Sequence, residues 1–391
     1  MVNAHRKDID KMSTRRDFLS VGLLTSVAGM ASAPASWAEP DSHPTSGLSY
    51  RVLGKTHLKV TRVGFGCMVT SDGSVIERAA DLGINYFDTS RGYQHGNNER
   101  LVGAALKDKR KQIVLSSKTD GKTKQDALAE LDTSLKELGT DHLDIWYLHL
   151  KNSPSELPDE LFEAQQIARA QGKIRFAGVS THKANVIAPF LVQKGATDVV
   201  LATFNFTMDK DVSDALAEAN KAGLGVVAMK VMAGGARRVK PGDPVGDKLK
   251  REGAMLAALK WVLNHPHVHT TIPGMTDMDQ LEENLKAMGQ PFSPQEEQIL
   301  ARRLDVITPE YCRMCGECDG HCAKGLPVED VLRYVMYADN YGQFELGRDH
   351  FKQLPTQLAS VRCGDCSDCT VECRHGVKVR QRLSRAQEIF A

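Results

Sequence analysis

Charge of neither sign dominates this chain: 50 Lys and Arg stand against 49 Asp and Glu in 391 residues, a formal net charge of +1. Phosphate contacts need a clustered excess of cations, so this balance argues against a nucleic-acid or membrane-surface protein. The basic stretch Arg374 to Arg385 is short and reads as a solvated face. Also missing is the G-x-G-x-x-G turn that a doubly wound nucleotide-binding sheet would place after its first strand, because Gly64-Phe65-Gly66-Cys67 does not supply it. No flavin motif is visible. Cysteine is scarce, nine residues in all, and none precedes Cys67, which speaks against a lipoprotein anchor. With 41% hydrophobic and 25% charged residues, the composition fits a soluble globular protein of two or three domains rather than a fibrous or disordered one.

Eight of the nine cysteines form two runs, Cys312, Cys315, Cys318, Cys322 and Cys363, Cys366, Cys369, Cys373, each spaced C-x2-C-x2-C-x3-C. That spacing resembles the bacterial ferredoxin run, in which three cysteines of one loop hold a 4Fe-4S cluster and the fourth ligates the other cluster. The resemblance implies two clusters, one on Cys312, Cys315, Cys318 and Cys373, the second on Cys363, Cys366, Cys369 and Cys322. Zinc remains an alternative, although paired C-x2-C would suffice for it. Disulfides are a third, although a chain this long buries a core without them. A repeat continues past the ligands, since Cys322-Ala-Lys-Gly325-Leu-Pro-Val328 parallels Cys373-Arg-His-Gly376-Val-Lys-Val379. Ferredoxins place proline after the fourth cysteine, where this chain has Ala323 and Arg374.

At the amino end, Arg15-Arg16 precedes an apolar, small-residue run from Val21 to Ala33, and Ser36-Trp37-Ala38 offers small residues for cleavage. The run is too short and too rich in Gly, Ser and Ala for a membrane span. Residues 1–38 resemble a twin-arginine signal peptide, with an ordinary secretory signal as the alternative. The expectation is a periplasmic or otherwise exported protein, delivered by the twin-arginine translocase, the route for folded and cofactor-loaded chains.

Between Val63 and Met288 short β-branched runs alternate with amphipathic helical stretches. Strands are expected at 63–65, 85–88, 113–116, 143–148, 174–179, 199–204, 226–229 and 270–272. Helices are expected at 75–82, 99–106, 124–138, 159–170, 212–222 and 255–264, several closed by glycine. Eight such units predict an α/β chain: a (β/α)8 TIM barrel over 48–300 followed by a small ferredoxin-like iron-sulfur domain over 303–391. Barrel chemistry sits at the carboxyl ends of strands, where Asp88, Lys118 and His149 fall, with Tyr93 in the loop after Asp88.

Asp88-Thr89-Ser90-Arg91-Gly92-Tyr93, Asn98-Glu99 with Gly103, Lys118, and Asp144 to His149 are similar to the aldo-keto reductases, whose catalytic tetrad is Asp, Tyr, Lys and His in this order. Gly178-Val179-Ser180, Ile272-Pro273-Gly274 and Leu281-Glu282-Glu283-Asn284 extend the resemblance over roughly residues 48 to 300. With its cysteine region the chain resembles an exported, ferredoxin-tailed branch of that family. The resemblance implies a nicotinamide-dependent oxidoreductase acting on a small-molecule carbonyl or alcohol. Tyr93 would be the proton donor, Lys118 would lower its pKa, Asp88 would hold the lysine, and His149 would orient the substrate oxygen. Cofactor contacts are expected from Ser180, Lys230, Gly274, Gln280, Glu283 and Asn284. Thr181 stands where the family has Asn, Leu201 or its neighbour where it has Gln, and Met229 where an aromatic stacks on the nicotinamide. Gln280 replaces the Arg that binds a 2′-phosphate, and Gln cannot supply a bidentate contact, so the cofactor is NAD or NADP. Hydride moves two electrons and each cluster takes one, so the clusters serve a redox partner protein or the structure. The rival reading is a non-catalytic electron carrier or redox sensor that uses the barrel as a docking scaffold.

Overall fold

In a computed structural model of the chain, residues 47–234, 248–249 and 251–391 are described. The twin-arginine segment and its cleavage residues lie outside them. Among the described residues no helix is long and apolar enough to cross a membrane.

A two-stranded antiparallel hairpin comes first, β1 (Tyr50–Val52) and β2 (Lys59–Thr61). Eight parallel strands follow: β3 (Phe65–Gly66), β4 (Tyr86–Asp88), β5 (Val114–Thr119), β6 (Leu143–Leu148), β7 (Ile174–Thr181), β8 (Val199–Thr203), β9 (Gly225–Met229) and β10 (Thr270–Thr271). Each pairs with its sequence neighbours. The sheet is closed by parallel bridges from Val63 to Thr271 and from Gly66 to Gly274, with Gly64 N donating to Thr271 O at 2.8 Å. An eight-stranded parallel barrel is the result.

The helices of the outer layer are α1 (Gly73–Asp81), α2 (Asn97–Leu106), α3 (Lys124–Leu138), α4 (Asp159–Ala170), α5 (Ala184–Lys194), α6 (Lys210–Lys221), α7 (Ala254–Leu263), α8 (Met278–Gly289) and α9 (Pro294–Ile307). Their apolar stripes bury Ile76, Val102, Leu131, Leu161, Leu191, Leu216 and Leu259 against the strands, because alternate strand residues face outward and need cover. Inward-facing Tyr86, Ile145, Tyr147, Val199, Leu201 and Val227 fill the barrel, joined by Leu53, Leu58 and Val60 of the hairpin. The hairpin therefore plugs the amino end. At Gly54, φ is +53° and an added Cβ would lie 2.4 Å from Gly225 N, so only glycine lets the plug seat. Chemistry is left to the other end.

The tail was expected to be ferredoxin-like in shape. It is helical instead, with no strand among the described residues after β10: α10 (Val328–Tyr341), α11 (Phe344–Lys352), α12 (Thr356–Ala359) and α13 (Val379–Phe390). Val328, Val331, Leu332 and Val335 recur at helical spacing and pack on Phe351, Leu383 and Phe390 as a second core, and that period cannot line one face of a strand. The internal repeat is visible here. After Cys322 and Cys373 alike a turn closes on a glycine of positive φ, Gly325 at 72° and Gly376 at 84°, and a helix begins at Val328 and at Val379.

Barrel and tail form one compact unit. Asp209, just before α6, takes Arg374 at 2.5 Å and Arg313 at 3.3 Å, and Lys183 pairs with Glu329 at 2.8 Å. Arg374 fills the position where ferredoxins have proline, and here it is one of the ties to the barrel.

Candidate active site

Asp88 ends β4 and Lys118 lies one strand over near the end of β5, so the parallel register sets them side by side at the carboxyl end of the barrel. Lys118 Nζ donates to Asp88 Oδ2 at 2.6 Å and to the Thr89 carbonyl at 2.6 Å, and Ser116 Oγ donates to Asp88 Oδ1 at 2.8 Å. Both charges are buried, so the pair is held by bonds on each side rather than by water.

Tyr93 comes over this pair from the loop after β4. The Lys118 ammonium lies 4.7 Å from the centre of its ring. Burial raises the Tyr93 pKa to about 12, with Lys118 pulling it down and Asp88 pushing it up. Burial also works against the Lys118 charge, yet Asp88 and Tyr93 outweigh it and raise the lysine above its ordinary range. His149, just past β6, meets Tyr93 edge to face with centroids 6.0 Å apart, and its Nδ1 is bonded to Asp120 Oδ1 at 2.8 Å. Asp120 is held below its usual carboxylate range: burial would raise it, and the His149 bond overrides that. Fixing Nδ1 leaves Nε2 as the ring nitrogen for a substrate. The sequence alone gave no sign of Asp120, since an Asp two residues past a catalytic Lys looks like a helix-capping residue.

The loop that carries Tyr93 is braced by the rest of its motif. Thr89 Oγ1 donates to Asn98 Oδ1 at 2.7 Å, and Asn98 Nδ2 donates to the Cys67 carbonyl at 2.9 Å. Buried Glu99 takes Arg91 and the Ser117 hydroxyl. Gly103 lets α2 approach α3, since a Cβ there would sit 2.5 Å from Leu138 O. Gln94 and His95 both have positive φ, 50° and 53°, and Gln94 Nε2 donates to the carbonyls of Met68 and Thr70. A strained turn is thus tied down beside the tyrosine.

The expected cofactor contacts divide. Ser180, buried near the end of β7, accepts from Leu150 N at 2.9 Å and keeps its own proton to donate. Thr181 Oγ1 donates to Asn152 Oδ1 at 3.3 Å, so Asn152, unmarked in the sequence reading, joins this corner. Met229, half-buried, ends β9. Gly274 is pressed against the first strand, with room for no Cβ beside Val69. Gln280 is bonded within its own segment. Its amide is spent within its own loop, donating to Thr276 Oγ1 at 2.7 Å and Asp277 Oδ2 at 2.6 Å while accepting from Thr276 N, because it sits one turn inside a helix whose cap is Asp277. Asn284 is buried and Glu283 half-buried on the same helix. The Lys230 ammonium lies on the rings of Tyr337 and Tyr341 in α10.

All nine cysteines are free of disulfides. Burial raises the Cys312 thiol, with Cys318 and Cys315 adding to it, and Cys315 in turn feels Cys373. Cys363 is raised by burial and then by Cys322, Cys366 and Cys369. Across the two runs, Cys315 thus feels the charge of Cys373 and Cys363 that of Cys322. Among the described residues no three His, Cys, Asp or Glu side chains converge on one point as a single metal ion requires. A four-iron cube spreads its thiolates over separate corners and does not require it. Donors aim at the sulfurs as well: Met314 N at Cys312 Sγ, 3.3 Å, and Gln387 Nε2 at Cys363 Sγ, 3.6 Å.

Comparison with known proteins bears on the barrel. The aldo/keto reductase family model matches residues 71–254 and 245–303, together more than half of the chain. The chain is 27% identical over 278 residues to an uncharacterized oxidoreductase, YqkF, of Bacillus subtilis, spanning 61% of this chain and 90% of that protein. It is 28% identical over 282 residues to L-galactose dehydrogenase of Arabidopsis thaliana, 62% and 88% of the two chains. Among solved structures, the holo form of aldo-keto reductase AKR11C1 from Bacillus halodurans superposes with a TM-score of 0.57 at 27% identity, covering 65% of this chain and 96% of that one. The family match ends at 303, before the first clustered cysteine. With the closed barrel and the four polar groups at its carboxyl end, these matches make the chain an oxidoreductase of the aldo/keto reductase family.

Proposed function

We propose that this protein interconverts a carbonyl compound and its alcohol with a nicotinamide cofactor, and that its tail holds two 4Fe-4S clusters. The observation that carries the first part is Tyr93 stacked over a buried Lys118–Asp88 pair with His149 at its edge. When bound, the nicotinamide supplies or accepts hydride, a proton with two electrons. Ser180 and the Thr181–Asn152 pair would hold its amide and Met229 would cover its face. The loop at Gln280 has no cation for an additional phosphate and its amide is already bonded, which favours NAD over NADP.

In the reductive direction the carbonyl oxygen accepts a hydrogen bond from the Tyr93 hydroxyl, and the His149 ring, held at Nδ1 by Asp120, packs at the edge of Tyr93 and limits where that oxygen can lie. As the carbon gains hydride, negative charge builds on the oxygen, and Tyr93 transfers its phenolic proton there. Lys118 stabilises the tyrosinate left behind, and Asp88 keeps the lysine charged. Solvent then returns a proton to Tyr93, and the sum is one carbonyl, one hydride and one proton converted to one alcohol. Oxidation runs the same steps backwards with tyrosinate as base.

For the tail, Cys312, Cys315, Cys318 and Cys373 would hold one cluster and Cys363, Cys366, Cys369 and Cys322 the other, each supplying one-electron transfer to a partner protein or bracing the helices. Export by the twin-arginine translocase to the periplasm follows from Arg15-Arg16 ahead of the apolar run and from clusters assembled before transit. Replacing both arginines by lysine should leave precursor in the cytoplasm, and undiminished export of that variant would point to another route. The enzymatic reading is tested by assaying anaerobically purified protein with NADH and NADPH against a panel of aldehydes and ketones. Turnover abolished by Tyr93→Phe supports it, whereas a fully cluster-loaded protein with no turnover of any carbonyl or alcohol would return the barrel to a scaffold.

A further inference from the structure

Lys230 follows the last residue of β9 in the left-handed backbone region, φ 54°, a conformation that strains a non-glycine residue. The turn sends its side chain toward the tail, where the ammonium lies 4.6 Å from the Tyr337 ring centre and 5.1 Å from that of Tyr341. No carboxylate pairs with it among the described residues. Arg333, one turn before Tyr337 on α10, is buried, and its Nη1 donates to the Tyr337 hydroxyl at 3.4 Å. Asp330 is its carboxylate partner, and the Asp330 side chain is half-exposed. His182, buried just past β7, is kept neutral first by burial and then by Lys230, Arg333 and His149 around it. Despite its burial Tyr337 is drawn below the ordinary phenol range by Lys230 and Arg333, and it lies near enough to Tyr93 to oppose its ionisation.

Lys230 and Arg333 thus meet at Tyr337, in the part of the tail that reaches the Tyr93 loop through His95 Nε2 and Asp349 Oδ2, 3.5 Å apart, and among the described residues Lys230 has no carboxylate partner. Buried or half-buried charges are ordinarily paired, and the catalytic Lys118 already is. We infer that the missing charge is supplied by the substrate, a carbonyl compound bearing a carboxylate, gripped by Lys230 and Arg333 with Tyr337 and His182 as further hydrogen-bonding groups. The tail then completes the substrate site, since Arg333 and Tyr337 belong to α10 while the reacting groups belong to the barrel. A guanidinium fork suits a planar carboxylate, and the aromatic walls around the ammonium suit an organic acid. This inference rests on the oxidoreductase reading above.

The test compares 4-carboxybenzaldehyde with its uncharged methyl ester in the cluster-loaded protein, together with nucleotide affinity by fluorescence titration. The wild type should favour the acid. In Lys230→Met the acid-to-ester ratio of kcat/KM should fall about ten- to hundredfold, the worth of a hydrogen bond between charged groups, mainly through KM. Lys230→Arg should restore most of it. An unchanged ratio overturns the inference, and so does a variant that weakens nucleotide binding while leaving KM for the acid alone, since the cation would then serve the cofactor. Competition by inorganic phosphate but not by benzoate would also overturn it, because the anion would be a phosphate. If neither aldehyde is turned over, the oxidoreductase reading is decided by the wider panel of carbonyls and alcohols, and calorimetry with 4-carboxybenzaldehyde decides this one. Binding lost in Lys230→Met upholds it, and binding absent from the wild type, or equal in the two proteins, sinks it.

Discussion

Lys118 and Asp88 form a fully buried ion pair, 2.6 Å from nitrogen to oxygen, between two adjacent parallel strands. Neither charge reaches water, so each depends on the other. Lys118→Met should leave Asp88 buried and uncompensated, costing roughly 3–5 kcal/mol of stability, whereas Lys118→Met with Asp88→Asn should recover a large part of the loss. Urea unfolding of the two variants measures this. Equal stability of the single and double variants would mean that water enters the site.

The same lysine sets the basicity of Tyr93. It pulls down a phenol that burial has raised to about 12, so without it the Tyr93 pKa climbs further. Alcohol oxidation needs the tyrosinate, which accumulates only as pH approaches that pKa. The alkaline rise in oxidation rate should therefore move to higher pH in Lys118→Met. A pH–rate profile of the same shape and midpoint would show that another base does the work.

Tyr93→Phe removes the hydroxyl at the centre of the site. Loss of a positioned general acid costs about two to four orders of magnitude in rate. Nucleotide affinity should change far less, because the phenol addresses the substrate. Single-turnover reduction at the wild-type rate in this variant would transfer the proton-donor role elsewhere, with His149 the next group to substitute.

Acid should weaken the fold through its buried imidazoles. Burial lowers His267, His269 and His350 to about 4, while an unfolded imidazole takes its proton near 6.5. Between those values the unfolded chain binds more protons than the folded one, so stability is lost as pH falls from about 6.5 toward 4. Melting temperature measured from pH 7.5 to 4.5 should decline through that window, and His267→Asn should flatten part of the decline. A level curve down to pH 5 would show these rings to be solvated.

How far the sequence reached depends on the kind of signal. Strand β6 and helices α3 and α4 match their expected limits because a buried parallel strand is a continuous apolar run and an amphipathic helix repeats every 3.6 residues. Asp88, Tyr93, Lys118 and His149 were legible as a group from residue type at and just after strand ends. Helix α5 was not, since Pro189 interrupts it, and the hairpin over the barrel floor was missed because three-residue strands carry too little pattern. The contacts of Lys230, Arg333 and Tyr337 join residues about a hundred positions apart, through a helix whose own period speaks only of its buried face.

The two cysteine runs stand out in the sequence by their spacing, and the crossed pairing proposed for them is open to a direct test. If each cluster took its four cysteines from one run, Cys322→Ser and Cys312→Ser would damage the same cluster. In the folded tail, Cys363 instead feels the charge of Cys322, and Cys315 that of Cys373, which favours the crossed arrangement. Cys322→Ser should therefore resemble Cys366→Ser, and Cys373→Ser should resemble Cys315→Ser, in the electron paramagnetic resonance of the cluster that survives. The two loops are not equally placed. The Cys312 loop is tied to the barrel through Arg313 and Asp209 and through the Tyr311 hydroxyl near Asn205, 3.3 Å away, while α13 braces the other through Gln387 and Cys363. Each survivor should then keep its own signal, one sensitive to Asp209→Asn and the other to Gln387→Leu. Identical spectra from Cys322→Ser and Cys312→Ser would establish ligation within each run and overturn the crossed arrangement.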